Sequence, residues 1–442
     1  MELHPTPSVL DIARRLEAAG FEAWCVGGAI RDELLGGHPL DWDIATQAKP
    51  GDVQEIFGRK HTIPVGIEFG TVCVLDRQGV GHEITTFRRD VKTDGRHAVV
   101  EFGASLDDDL ARRDFTINAI AYRPKTGELR DPFGGREDIA RRVVRAVGVA
   151  EDRMREDRLR ALRAIRFAAR YDFGIEASTL AAVRSSAEHL TRLSAERVQQ
   201  ELVKTMQQVA RPGTALRIWR DTGALRVLVP ALASIDEVAL ATLDHLGRDG
   251  AGGRKVALRT SNRLAALFLD TGESATRRAM TALRCSKNEI SWAAALVRTW
   301  NDVGDQMASE LMTGTPTDEA VRRWLARIGR LGTRGFFRVA NARWGAMRAA
   351  GMPAPEPVAV RRLYRRANAN RFSAAIELGD LAIGGDELRA AGIPPGPLYA
   401  KILTGLLERV LVDPARNTPT QLLSDARELV ASGGAMGDTQ VT

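Results

Sequence analysis

Residues 25–46 read CVGGAIRDELLGGHPLDWDIAT. An apolar run over 21–26 predicts a buried strand, Gly27-Gly28 turns the chain, and a short helix over 30–35 ends at Gly36-Gly37 and Pro39. A second strand is predicted over 40–46, which carries Asp41-Trp42-Asp43. Residues i and i+2 of a strand share a face, so Asp41 and Asp43 can converge on one ion, and two hard oxygen ligands suit Mg²⁺. The glycine pair lets backbone N–H groups approach a phosphate closely, and Arg31 adds a charged fork nearby. Each signal alone is weak: Gly-Gly is often a plain turn, and Asp107-Asp108-Asp109 repeats the carboxylate spacing in what reads as a solvated loop. Together they describe a triphosphate beside its Mg²⁺, poised for attack by a hydroxyl on the α-phosphate. Glu83, on a later strand, is a candidate third carboxylate.

Outward from this stretch, residues 8–19 have a helical apolar stripe, and 71–75 with 82–87 flank Asp76-Arg77-Gln78-Gly79 as a hairpin. Residues 88–110 are polar, charged and long for a connection, and read as a mobile loop. Beyond about residue 140 the chain reads as helix after helix, with breaks at Pro212-Gly213, 247–253 and 351–357. The class is therefore α+β, a small mixed sheet with helices followed by an all-α remainder. The expected parts are 1–140, 141–212, 213–350 and 351–442. A chain of 442 residues, 44% hydrophobic and 27% charged, excludes disordered and fibrous classes. No apolar run approaches the ~20 residues that cross a bilayer, and the start of the chain has no signal-like segment, so a cytoplasmic protein is expected. Three scattered cysteines read as small core residues. A net charge of +7 leans modestly toward a polyanionic partner, and arginine crowds residues 141–170.

After the opening GGAIRDELLG and LDWDIAT, four further segments follow in order: RRDFTINA (112–119), DPFGG (131–135), EDRLRALRAIRFAAR (156–170) and SAERVQQELVK (194–204). In this order they resemble the bacterial tRNA nucleotidyltransferase/poly(A) polymerase family, in particular its class II CCA-adding enzymes, over about the first 210 residues. The resemblance implies a nucleotidyltransferase head, a helical neck, and body and tail parts that grip tRNA. It implies that Gly28, Arg31 and Arg113 hold the triphosphate and that Asp114 and Asn118 meet the ribose hydroxyls. Asp157 and Arg160, with Arg163 and Arg166 nearby, would bind the incoming nucleotide, and Glu156 would orient Arg160. On a helix through 156–170, Leu159, Leu162 and Ile165 form a buried stripe and Asp157, Arg160 and Arg163 an adjacent face. A carboxylate can accept from an exocyclic amine while arginine donates to a ring acceptor, imitating the edge of a partner base. The glycines of 131–135 read as a hinge. The resemblance further implies that the 88–110 loop, which members of the family that add only CC tend to lack, goes with addition of all three nucleotides.

Other readings separate on particular residues. Poly(A) polymerases of this family usually carry a basic GRRF segment where this chain has IPVGIEFGTV (63–72). LAALFLDTG (264–272) resembles the core of metal-dependent HD phosphohydrolases, but Leu269 stands before Asp270 where histidine is needed, so the body reads as inactive. A non-catalytic RNA-binding protein has no need of Asp41 and Asp43. The expectation is Mg²⁺-dependent addition of CCA from CTP and ATP to the tRNA 3′ end, with Arg361-Arg362-Leu363-Tyr364-Arg365-Arg366 tracking the RNA backbone.

Overall fold

The computed structural model describes residues 3–93, 98–247 and 253–434. A sheet with helices is followed by helices almost alone, the α+β organisation expected. The strands of the first part are β1 (Ala23–Val26), β2 (Asp43–Thr46), β3 (Thr62–Gly66), β4 (Thr71–Leu75), β5 (Gly81–Thr86), β6 (Arg88–Thr93), β7 (Ala98–Phe102), β8 (Ala121–Arg123) and β9 (Glu128–Arg130). Seven of them form one sheet in the order β3-β4-β5-β2-β1-β8-β9. Within it β2 runs parallel to β5, and the other pairs are antiparallel. Every residue of β1 is buried, which is why AWCV reads as an unbroken apolar run. The helix α1 (Pro7–Ala18) buries Val9, Ile12 and Leu16 at helical spacing. α2 (Gly28–Leu34) and α3 (Pro50–Phe57) follow.

Two expected elements begin elsewhere. The strand predicted over 40–46 starts at Asp43, and the helix predicted over 30–35 starts at Gly28, immediately after the turn. Residues 88–110 are not one loop. β6 and β7 pair as an antiparallel ribbon outside the main sheet, and the sequence of β6, RRDVKT, has four charged residues in place of the apolar alternation of a core strand. Residues 94–97 lie outside the described residues. α4 (Leu106–Ala111) then starts at a capping box: Ser105 Oγ accepts the Asp108 N–H at 3.2 Å, and Asp108 Oδ2 accepts the Ser105 N–H at 3.0 Å. The acidic trio is thus a helix start rather than a solvated loop, and Asp109 is buried.

Further along are α5 (Gly135–Arg141), β10 (Val143–Val144), α6 (Ala150–Glu156), α7 (Leu159–Tyr171), β11 (Gly174–Ile175), α8 (Ala177–Ser186), α9 (Ala195–Gln208), α10 (Pro212–Asp221) and α11 (Ala224–Leu228). The segment 156–170 is therefore two helices, with Asp157 in extended conformation between them. Leu162 and Ile165 are fully buried as expected, but Leu159, at the start of α7, is only half-buried. Gly135 is a packing glycine, since a Cβ there would lie 2.2 Å from the Thr116 carbonyl oxygen.

The chain divides into two compact units, Met1–Ala233 and Ser234–Thr442. Residues 213–233 thus side with the first unit, not with the rest of the expected body. The second unit contains α12 (Glu237–His245), α13 (Gly253–Leu267), α14 (Glu273–Ala282), α15 (Lys287–Thr313), α16 (Asp318–Ile328), α17 (Thr333–Ala349), α18 (Pro357–Asn370), α19 (Gly385–Ala390), α20 (Leu398–Val412) and α21 (Pro419–Gly434). Trp300 packs with Phe336 and Trp344 in its centre, and Leu388, Ile402, Leu406 and Leu422 belong to a separate apolar cluster toward the C-terminus. Leu269 is buried, and Asp270 pairs with Arg343 at 3.0 Å.

Candidate active site

Trp42 is fully buried, so the alternation of the backbone turns Asp41 and Asp43 to the open side. Ile44 pairs with Ile84 in parallel register, and both are buried. One step back along each strand stand Asp43 and Glu83, both on the exposed side. Burial, then Asp41, then Glu83 push the Asp43 carboxyl up to about 6, with Arg113 opposing. Asp43 keeps an accessible edge on the cavity while protein crowds its other sides. Among the described residues no three His, Cys, Asp or Glu side chains gather closely enough to hold a metal by themselves. Two carboxylates with open positions for phosphate and water still fit Mg²⁺, which binds in that way.

Beside Asp43 lies a cavity of about 520 Å³, walled by the start of α2, the 112–118 turn, α7 and α9. Gly27 has φ +78, and a Cβ there would meet Arg113 Nη1 at 2.8 Å, so only glycine lets the turn come this close. Asp109 grips Arg113 through Nη2 at 3.2 Å and Arg112 through Nε at 3.0 Å. Burial would raise the Asp109 carboxyl, but Arg113 and Arg112 outweigh it and hold it below the usual range. Arg113 Nε is buried without a hydrogen-bond partner among the described residues, an orphan donor on the wall of the cavity. Arg31 is buried. Its Nε donates to Asp32 Oδ1 at 2.9 Å, its Nη1 donates to Asn118 Oδ1, and its guanidinium lies over the rings of Phe167 and Tyr171.

Asp114 accepts from the Phe115 N–H and Asn118 Nδ2 at 2.9 Å each, and from Arg163 Nε at 2.7 Å and Nη2 at 2.6 Å. Its burial is outweighed by Arg163 and Asn118, which keep it ionised. With four acceptor positions filled, Asp114 here positions Arg163 and Asn118, and it could meet a ribose hydroxyl only by releasing a partner. Arg160 donates from Nη1 to Glu156 Oε2 at 2.7 Å and from Nη2 to the Arg112 carbonyl at 2.8 Å, the orientation by Glu156 that the sequence suggested. Asp157 accepts the Leu159 N–H at 3.0 Å and Arg197 Nη2 at 2.7 Å, leaving part of its carboxylate for a ligand. Arg166 is a strut: Nε pairs with buried Glu201 and Nη1 donates to Gln208 at 3.0 Å.

Gly28, Arg31, Asp43, Arg113, Asp114, Asn118, Asp157, Arg160, Arg163 and Arg166 all line this one cavity, whereas Asp41 and Glu83 do not. Sequence reading missed Asp109, Arg112, Arg170, Arg197, Lys204 and the pair Asp32–Tyr171. Two signals could have found some of them. Asp109 stands four residues before Arg113, a helical ion-pair spacing, and Arg197 and Lys204 lie seven apart on α9, on one face.

Residues 23–145 match the Poly A polymerase head domain, and residues 172–236 match the probable RNA- and SrmB-binding site of polymerase A. A CCA-adding enzyme of Latilactobacillus sakei is 34% identical over 95% of this chain and 97% of its own length. One from Geobacillus kaustophilus is 34% identical over 93% of this chain and 94% of its own. The crystal structure of the Bacillus stearothermophilus CCA-adding enzyme with CTP superposes with a TM-score of 0.75 at 31% identity, covering 98% of this chain and 100% of that one.

Proposed function

The chain belongs to the family of CCA-adding enzymes, and we propose from that premise that it builds the 3′ CCA end of tRNA from CTP and ATP, releasing pyrophosphate. The observation that carries this reading is that Asp43, Gly28 and Arg113 share one cavity with Asp157 and Arg160. The family is one of nucleotidyltransferases, generally dependent on a divalent metal. Asp41 and Asp43 would hold Mg²⁺, which when bound acidifies the attacking 3′-hydroxyl and neutralises charge on the triphosphate. The Gly28 backbone and Arg113 bind the triphosphate, and Arg31, fixed by Asp32, holds Asn118 against that wall. The base lies at the start of α7, where Asp157, just before the helix, accepts from the exocyclic amine that cytosine and adenine share, and Arg160 on the helix donates to a ring acceptor. Uracil lacks that amine and guanine presents a different edge, so each leaves these groups unpaired at ~1–3 kcal/mol.

Within the two units, we assign transfer to residues 1–140, nucleotide selection to 141–212, and the grip on tRNA to 213–350 and 351–442. A tRNA substrate puts this work in the cytoplasm, and no helix among the described residues is long and apolar enough to cross a membrane. The test incubates the protein with tRNA lacking its 3′ end, ending in C, or ending in CC, each with labelled CTP or ATP. CTP should extend the first two acceptors and ATP the third. Long A tracts on any acceptor would mark a poly(A) polymerase, and binding without extension a non-catalytic protein.

A further inference from the structure

Between them, α17 and α18 carry eight arginines and no Asp or Glu. Arg334, Arg338, Asn341, Gly345 and Arg348 follow one another at steps of three and four, so they share a face of α17. That face, with Arg361 and Tyr364 of α18 and His245 of α12, lines a cavity of about 680 Å³ wholly inside the second unit. No carboxylate is among its described lining residues. Gly345 is part of the construction, since a Cβ there would press on His245 Nδ1 at 3.2 Å. The floor is aromatic: Phe337 is buried, and half-buried Tyr364 leans on it with ring centroids 5.6 Å apart. Arg334 and Arg361 are exposed.

Guanidinium groups around a shared space repel one another, and an anion seated among them turns that repulsion into attraction. Planar forks suit phosphate oxygens, and an aromatic face suits a base. The volume is that of a site for a small molecule or a single nucleotide, not for a protein surface. We propose that this cavity is a second nucleotide site, taking one nucleoside phosphate unit with its base against Tyr364 and its phosphate between Arg334 and Arg361. That unit is either a free nucleotide or a nucleotide within RNA held far along the chain from its reactive end. Only the second source rests on the tRNA reading above.

The test uses the full chain and three variants outside the head cavity: the pair Arg334→Ala/Arg361→Ala, Tyr364→Leu, and Tyr364→Phe, which keeps the ring. Circular dichroism and melting first establish that each is folded. Equilibrium dialysis with labelled ATP should show two sites in the wild type and one in the arginine pair if the source is free nucleotide. If the source is RNA, ATP fills one site throughout. Tyr364→Leu then weakens tRNA about ten-fold, Tyr364→Phe does not, and the arginine pair lowers the slope of log affinity against log salt by about two. ATP stoichiometry and tRNA affinity both unchanged in the arginine pair would overturn the proposal. So would equal weakening by Tyr364→Leu and Tyr364→Phe. Failure of the wild type to extend tRNA would sink the head reading while leaving the ATP measurement intact.

Discussion

A buried guanidinium is costly unless its charge and its N–H groups are met, and Arg31 shows how the head meets that cost. Asp32 takes Nε and Nη2, Asn118 takes Nη1, and two aromatic rings cover its faces. Tyr171 donates to the same Asp32 oxygen at 2.7 Å, and so ties α7 to α2. Burial, moreover, pushes the Tyr171 hydroxyl above its ordinary pKa, so it stays a donor. Tyr171→Phe should therefore lower stability by about 1 kcal/mol in urea unfolding and raise KM for CTP and ATP more than it lowers kcat. An unchanged unfolding midpoint would mean that Arg31 needs no help from α7. Asp43→Asn keeps the shape and removes the charge, so tRNA binding should persist while kcat falls at least about a hundred-fold, more than loss of an outer-shell metal contact costs. Comparable activity in that variant would separate Asp43 from the chemistry. Asp43 was legible in the sequence because a strand alternates. Asp32 and Tyr171 were not, because their meeting depends on two helices 139 residues apart in the chain.

The helices around the cavity are held by pairs of unequal worth. Arg166 of α7 and Glu201 of α9 are almost fully buried and face each other, so deleting one strands the other's charge. Glu201→Ala should cost about 3–5 kcal/mol, and a double change to Met and Leu should recover most of it. Chemical denaturation of the single and double variants decides this, and a single-variant loss no larger than that of exposed Asp152→Ala would refute it. At the start of α8, Glu176 accepts from the N–H groups of Ser178 at 3.0 Å and Thr179 at 2.8 Å, and from both hydroxyls. Its partial burial is outweighed by these bonds, which lower its pKa from 4.5 to about 2. A carboxyl depressed on folding stabilises above its unfolded pKa and loses that contribution as the pH falls toward its folded one. The stability gap between wild type and Glu176→Gln should hold above pH 4.5 and close between 4.5 and 2; a gap independent of pH would deny the cap its charge. Element ends were the least legible feature. The break at Asp157 carries no Gly or Pro to announce it, and β6 hides its strand character under charges.

Charge is divided unevenly along the whole chain. Residues 1–233 hold 35 basic and 34 acidic side chains, whereas 234–442 hold 28 and 22, which leaves +6 of the net +7 in the second unit. The first unit spends its arginines on pairs such as Arg160–Glu156, Arg163–Asp114 and Arg166–Glu201, so a crowd of arginines at 141–170 adds little net field. That distinction explains why composition alone pointed only weakly to nucleic acid: the surplus lies elsewhere in the sequence, on α17 and α18, and depends on which arginines lack a facing carboxylate. On α18, Arg366 is taken by Asp318 of α16, while Arg362 and Arg365 are exposed. Affinity for tRNA should thus fall steeply with salt while KM for CTP changes little, because the counterions released on binding come from the many phosphates of the RNA backbone. Replacing Arg362 and Arg365 by alanine should lower the slope of log affinity against log salt by about 0.7–0.9 for each side chain. Arg155→Ala, which removes the partner of Asp152 at 2.7 Å, should leave the slope nearly alone. Filter binding across a salt series, on all three proteins, separates the cases. Equal slopes in the wild type and the Arg362/Arg365 variant would show that the second unit's surplus charge meets something other than the RNA backbone.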